Sequence, residues 1–286
     1  MQTVLEQMLN SYKAISLEEK KNALKEVVQE VALSGLSRAG FFKKAAFYGG
    51  TTLRIFYSLD RFSEDLDFSL IEPDSTFELS HYFVELEKEL SSFGLQFSIE
   101  EKVKSKDSAI KSAFLKGNTR EHILSVYDIK NANINPTEVI KIKFEIDTNP
   151  PSFANFEHKY RLLPTPYKVR LYDLPSLFAG KIHAVLCRAW KNRTKGRDLY
   201  DYVFYLSRQV PVNLKHLQSR LENSSALEKG APFTSEMLIE MLNKRFETID
   251  FEQAKQDVLP FISDPNKLSL WSKEFFIDIT EALKCA

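Results

Sequence analysis

The sequence predicts an α+β protein, a twisted mixed sheet followed by a mainly helical region, and three observations carry that expectation. Residues 65–70 (DLDFSL) and 140–147 (IKIKFEID) alternate strictly between apolar and polar side chains, as half-buried strands do. A short apolar run, Ala45 to Tyr48, stops at Gly49-Gly50 and passes into TTLRIFYSL, the pattern of strand, tight turn and helix. From Asp173 onward the chain reads as helical, with apolar residues recurring in stripes.

Each element has a local cause. In Ser16-Leu17-Glu18-Glu19 the serine hydroxyl can accept the N3 amide while Glu19 reaches back, a capping box that starts a helix. Leu24, Val27, Val28 and Val31 continue it until Ser37 to Gly40, so residues 1–38 read as helices. After Gly49-Gly50, Thr51 or Thr52 is expected to cap the next helix. The alternation in 65–70 puts Asp65 and Asp67 on one face and Leu66, Phe68 and Leu70 on the other. Leu79, Phe83, Leu86, Leu90 and Phe93 mark a helix closing at Gly94, where a left-handed backbone is easily adopted. Strands are expected at about 95–103, 112–115 and 123–129. In 140–147 the isoleucines and Phe144 turn inward, with Lys141, Lys143, Glu145 and Asp147 outward. Asn149-Pro150-Pro151 ends that strand, and the proline-rich stretch through Pro164 and Pro166 reads as a bridge between domains at 1–165 and 166–286. Asp173 can then cap a helix with Pro175 in its first turn, and Lys181, Ala184 and Arg188 fall on one side of it. Stripes at 213–222, 235–246 and 251–259 and a terminal helix near 272–284 complete the helical half.

Composition narrows the functional classes. The 286 residues suffice for a core that needs no staples, and 43% hydrophobic with 27% charged residues is the balance of an ordered, water-soluble chain. Lys+Arg and Asp+Glu both number 39, so no global field draws the protein to nucleic acid or membrane, and any polyanion must be held by a local patch. Two cysteines, Cys187 and Cys285, make neither a disulfide framework nor a thiolate cluster, which fits a reducing cytoplasm. The N-terminal residues carry acids and lack an apolar core, so they do not read as a signal peptide, and no apolar run is long enough to span a bilayer. The five histidines show no paired ligand spacing for zinc.

Chemistry concentrates at the glycine turn and the two aspartates. Aspartates at i, i+2 on one strand face can reach the same pair of Mg²⁺ ions, which demand oxygen ligands, and a glycine turn at a helix N-terminus lets phosphate approach backbone amides. Alone, an Asp-x-Asp is equally a pair of solvated acids on a strand edge. Here it follows Gly49-Gly50-Thr51-Thr52-Leu53-Arg54 and sits within Arg61-Phe62-Ser63-Glu64-Asp65-Leu66-Asp67-Phe68. The second half adds Ala179-Gly180-Lys181-Ile182-His183-Ala184, then Lys195-Gly196-Arg197-Asp198-Leu199-Tyr200-Asp201, and more loosely Trp271 to Phe276.

That ensemble resembles the AbiEii/AbiGii-type nucleotidyltransferase toxins of the polymerase-β-like superfamily over nearly the whole chain. One departure is Gly50, where many superfamily members have serine; Thr51 is the candidate replacement for that phosphate ligand. The resemblance implies a polymerase-β-like core followed by a helical domain, with Asp65 and Asp67 holding two Mg²⁺ ions, Ser63 near the nucleotide, Lys181 on the triphosphate and Asp198 an essential acid. Gly49, Gly50, Thr51, Arg54 and Arg197 join the nucleotide-binding set. Asp147, at a strand end, is the candidate third metal carboxylate, with Glu145 on the same face a poorer one. Asp198 and Asp201, at i, i+3, can share one helix face. Arg188, Lys191, Arg193, Lys195 and Arg197 crowd ten residues and offer a polyanion patch. The implied function is transfer of a nucleoside monophosphate from an NTP, GTP or CTP undistinguished, to tRNA, in the toxin of an AbiE-like toxin–antitoxin and phage-defence module with a cognate antitoxin. A protein or small-molecule acceptor, or a non-catalytic nucleotide-binding module, are the alternatives.

Overall fold

In the computed structural model, residues 3–102, 108–127, 134–190 and 193–286 are described. The chain divides into two compact units. The first comprises Met1–Thr51, Ser63–Pro150 and His158–Leu171; the second comprises Thr52–Phe62, Pro151–Glu157 and Tyr172–Ala286. The second unit thus begins some six residues beyond the expected boundary and also takes the segment between the glycine turn and the aspartates.

The first unit opens with α1 (Val4–Ser11) and α2 (Leu17–Arg38), and the Ser16 capping box is formed. α2 is buried on most of its circumference, with Leu24, Val27, Val28 and Val31 inaccessible to solvent, because it packs against several neighbouring elements. β1 (Ala45–Tyr48) leads through Gly49 into α3 (Gly50–Tyr57), and β2 (Leu66–Leu70) follows. α3 begins at Gly50, so Thr51 and Thr52 lie inside the helix and cap nothing; their side chains turn into the core instead. α4 (Phe83–Ser92) ends at Gly94, whose φ of +73° is the expected left-handed stop.

β3 (Ser98–Lys102) and β4 (Ile110–Asn118) come next. The strand expected at 123–129 is a helix, α5 (Thr119–Tyr127). Asn118 accepts the amide of Glu121 and so caps it, and the buried Ile123 belongs to a helical face rather than an alternating one. Residues 128 and 129 lie outside the described residues. β5 (Val139–Asp147) matches its pattern. The proline-rich bridge contains two strands that alternation did not reveal, β6 (Phe156–Arg161) and β7 (Tyr167–Tyr172). Both are short and carry charges, Pro164 and Pro166 lie in the connection between them, and β6 forms the sheet edge.

The seven strands form one mixed sheet in the order β3-β4-β5-β2-β1-β7-β6. β2 runs antiparallel to β1 and parallel to β5, while β1 and β7 are parallel. Phe68, fully buried, meets Phe41, Phe47 and Phe144 at ring-centroid distances of 4.9, 5.2 and 5.9 Å. Burying one such ring contributes about 1.5–3 kcal/mol, so this cluster fixes which face of β2 turns inward and therefore which face carries the aspartates.

The second unit is mainly helical: α6 (Leu174–Cys187), α7 (Gly196–Ser207), α8 (Leu214–Asn223), α9 (Ser235–Phe246), α10 (Phe251–Val258) and α11 (Lys273–Thr280). Asp173 caps α6 through the amide of Ser176, with Pro175 in the first turn. Gly196 admits the backbone of α10, since a Cβ there would stand 1.8 Å from the Ala254 carbonyl oxygen.

Candidate active site

In the first unit the glycine turn and the aspartates are neighbours. Gly49 has φ +87°, a left-handed backbone that favours glycine, and a Cβ at this position would lie 2.6 Å from Oδ2 of Asp67. Backbone and carboxylate both require glycine here. The first amides of α3, from Gly50 on, lack intrahelical acceptors, as at any helix start, and a helix start suits an anion. Asp65 precedes β2 and is exposed; Asp67 lies within β2 and is half-buried.

The loop that carries Asp65 is fastened from two sides. Thr51 Oγ1 hydrogen-bonds the Asp65 carbonyl and lies 2.8 Å from Ser63 Oγ. On the other side Gln29, fully buried on α2, donates from Nε2 to the carbonyls of Ser63 and Glu64, both at 3.0 Å. Gln29 is a candidate positioning residue that sequence reasoning missed. Its only signal is a glutamine among the apolar residues of a buried helix, a weak one without knowledge of what it faces.

Register decides the third acid. Asp67 stands opposite Tyr48 on β1 and Glu145 on β5, whereas Asp147 stands opposite Ser69, one step along the strand away from the turn. Asp147 Oδ1 accepts the amide of Asn149 at 2.9 Å, a turn-closing role. Glu145 is the nearer neighbour of Asp67 and is held by Ser112 Oγ at 3.1 Å and Lys143 Nζ at 2.8 Å. Alternation put Glu145 and Asp147 on one face, but the offset of a parallel pair is invisible in sequence.

Among the described residues no three His, Cys, Asp or Glu side chains gather as a metal cage. The donor set still fits a hard divalent ion. Mg²⁺ is commonly held by one or two carboxylates plus waters and substrate phosphates, and here two carboxylates lie beside a glycine turn at a helix N-terminus.

In the second unit Lys181, Asp198 and Asp201 form one buried network. Lys181 Nζ lies 2.7 Å from Asp198 Oδ1 and 2.8 Å from Asp201 Oδ2. Arg188 Nη1 meets the other oxygen of Asp198 at 2.5 Å. Arg61 grips Asp201 in a fork, with Nε and Nη2 each at 2.6 Å, and this pair is completely enclosed. Burial alone would raise both carboxyls. The ammonium of Lys181 with Arg188 outweighs it at Asp198, and Arg61 with Lys181 outweighs it at Asp201, so both are held below the usual carboxylate range.

The remaining expected site residues have partners of their own in this unit. Arg54 donates to the Leu59 carbonyl at 3.0 Å and stacks over Phe62. Arg197 stacks over Phe261, with 4.2 Å from Cζ to the ring centroid. The basic cluster is largely engaged: Arg193 pairs with buried Asp257, as Arg188 does with Asp198. Lys191 lies outside the described residues.

Comparison with known proteins decides the family. The family model described as "Nucleotidyl transferase AbiEii toxin, Type IV TA system" matches residues 31–278. The chain belongs to the AbiEii nucleotidyltransferase toxin family. AbiEii membership makes it a nucleotidyltransferase of a toxin–antitoxin family, with an NTP as substrate and an antitoxin as the implied partner. The fold is also that of MenT4, a nucleotidyltransferase toxin from Mycobacterium tuberculosis H37Rv, at 15% identity and TM-score 0.52, over 98% of this chain and 90% of that one. JHP933 from Helicobacter pylori is similar at 18% identity and TM-score 0.47, with 94% and 92% covered. No curated protein matches the sequence. Among the described residues no helix is long and apolar enough to cross a membrane.

Proposed function

We propose that this AbiEii-family chain is a metal-dependent enzyme that transfers a nucleoside monophosphate from an NTP to tRNA, in the cytoplasm, as the toxin of a toxin–antitoxin and phage-defence module. The observation that carries the reading is the approach of Gly49 to the Asp67 carboxylate, which sets a phosphate-accepting turn against a metal-binding acid.

Each residue has a task. Asp65 and Asp67 are the metal ligands, and Glu145, opposite Asp67, is a better-placed third carboxylate than Asp147. The free amides at the start of α3, with Gly49, Gly50 and Thr51, receive phosphate oxygens. Mg²⁺, when bound, supplies charge neutralisation of the triphosphate. Lys181 is assigned to that triphosphate and Asp198 to orienting its ammonium, since a carboxyl held below its usual range is a weak base for a hydroxyl proton. Attack of an acceptor hydroxyl on the α-phosphorus forms the new phosphodiester bond and expels pyrophosphate.

The test is incubation with total tRNA and each labelled NTP in Mg²⁺. Label on RNA is expected, stronger with one NTP than the others. Label on protein would change the acceptor, and no transfer with any NTP would overturn the reading.

A further inference from the structure

The face of the sheet that carries Asp67 can be followed from strand to strand within the first unit. Asp67 stands opposite Tyr48, and Phe47 stands opposite Leu171, so Arg170 and Lys168 of β7 project on the same side as Asp67. On β6, His158 joins that side through its ring nitrogen 3.4 Å from Arg170 Nε, and Tyr160 joins it beneath Lys168, whose Nζ is 5.8 Å from the ring centroid. Arg170 also donates to the Lys43 carbonyl, which brings in Lys43 and Lys44, both exposed. Lys43, Lys44 and Arg170 line a polar hollow together with Glu72 and Asp74. Burial first, and then the charges of Lys168 and Arg170, lower the His158 pKa. Tyr160, 69% exposed, lies on the edge strand beside Lys168.

We propose that this β7–β6 edge, with Lys43, Lys44, Lys168, Arg170 and Tyr160, is the surface that grips the phosphate backbone of the RNA acceptor, Tyr160 offering a ring for one base. The inference rests on the RNA-acceptor reading above and adds where on the first unit the RNA lies. Three features favour RNA: cations that neutralise phosphates, an exposed aromatic ring interleaved with them, and a position on the sheet face of the metal-binding acid. β7 is two strand spacings from β2, about 10 Å, and by register Arg170 and Lys168 lie about 7 and 13 Å further along the strands than Asp67, so a chain gripped there reaches that acid by running along the sheet face. The basic cluster at 188–197 competes poorly for this role, because Arg188 and Arg193 are tied to buried acids.

The experiment measures tRNA binding by the full chain against salt, without NTP, for wild type, Lys44→Glu/Lys168→Glu and Tyr160→Ala, with NTP binding measured in parallel. The double variant is expected to weaken tRNA binding at least tenfold at about 0.1 M salt and to lower the salt slope by roughly 0.7–0.9 for each phosphate it no longer neutralises. Tyr160→Ala should weaken it about fivefold or more without changing the slope. NTP affinity should remain that of wild type in both. Wild-type tRNA affinity and slope in the charge-reversal variant would overturn the assignment and leave the acceptor reading standing, even if that variant lost a protein partner instead. A wild-type protein that binds no tRNA would overturn the acceptor reading itself, and this inference with it.

Discussion

Asp65 with Asp67 in the first unit and Asp198 with Asp201 in the second are both closely spaced aspartate pairs, and their surroundings are opposite. The first pair stands at a strand end beside an open turn, one member exposed and the other half-buried. The second pair is enclosed and gripped by Lys181, Arg188 and Arg61. An acid available to a metal must be reachable and fixed by its backbone; an acid that holds a lysine in place must be enclosed and charge-balanced. The difference fits the roles proposed above, metal ligands for the first pair and positioning of Lys181 for the second.

The sharpest way to break this comparison is to neutralise each pair in turn. Asp65→Asn is expected to abolish label transfer from NTP to tRNA, by about a thousandfold or more, while the melting transition stays cooperative. Its melting temperature should equal or exceed that of wild type, since two neighbouring like charges become one. Loss of cooperative melting would make Asp65 structural, and toxicity of the variant in cells at equal abundance would favour a binding module over an enzyme.

Arg61→Leu should act on the fold first. It leaves Asp201 buried with one of its two cations removed, a change that destabilises by about 3–5 kcal/mol, read as a melting temperature lowered by roughly 10 °C. A variant that melts like wild type but loses transfer would move Arg61 from scaffold to catalysis.

Acid acts on the second unit through its buried groups. His216, fully buried in α8 with Nδ1 2.8 Å from the Ser152 carbonyl, is lowered to about 4 by burial and by Arg220. Between pH 6.5 and 4 the unfolded chain therefore binds a proton that the folded one refuses, and stability falls as pH falls, by about 3 kcal/mol across the window. Asp198 and Asp201, held low, stabilise the fold above the unfolded carboxylate value of about 3.9 and lose that contribution only as pH drops further. His216→Gln should roughly halve the fall of melting temperature from pH 6.5 to 4, the rest coming from His183, lowered to about 4 by burial with Arg220 and Arg188, and leave the steeper loss below it unchanged. An unaltered slope would place the acid sensitivity elsewhere.

The smallest expected effect sharpens the first pair. Gln29→Leu leaves the carbonyls of Ser63 and Glu64 without their buried donor, a change of about 1–3 kcal/mol, and should lower kcat for transfer about tenfold with little change in KM for NTP. A fall in stability with kcat intact would reduce Gln29 to a core residue.

Much of this was legible in the sequence because it is local. The Ser16 capping box, the Gly94 stop, the Asp173 cap and the alternation of β2 and β5 depend on residues within a few positions of one another. The same holds for the nearness of Asp65 to Asp67, and the family motifs added Lys181 and Asp198. Where the competing signal was also local and weak, the reading failed: residues 119–127 form a helix because Asn118 caps them, and β6 and β7 hide among prolines.

Tertiary structure alone decided matters in which residues far apart in sequence meet. Parallel register chose Glu145 over Asp147 as the neighbour of Asp67, and nothing in an alternating pattern carries an inter-strand offset. Folding brought Gln29 to the Asp65 loop and turned a helix residue into a clamp. It placed Arg61 against Asp201, 140 positions away, so that of two acids that both hold Lys181 one is also locked by a distant, fully buried arginine. Sequence determines which groups are available and which face of an element they share; burial and charge balance, which set what each group can do, exist only once distant segments have packed.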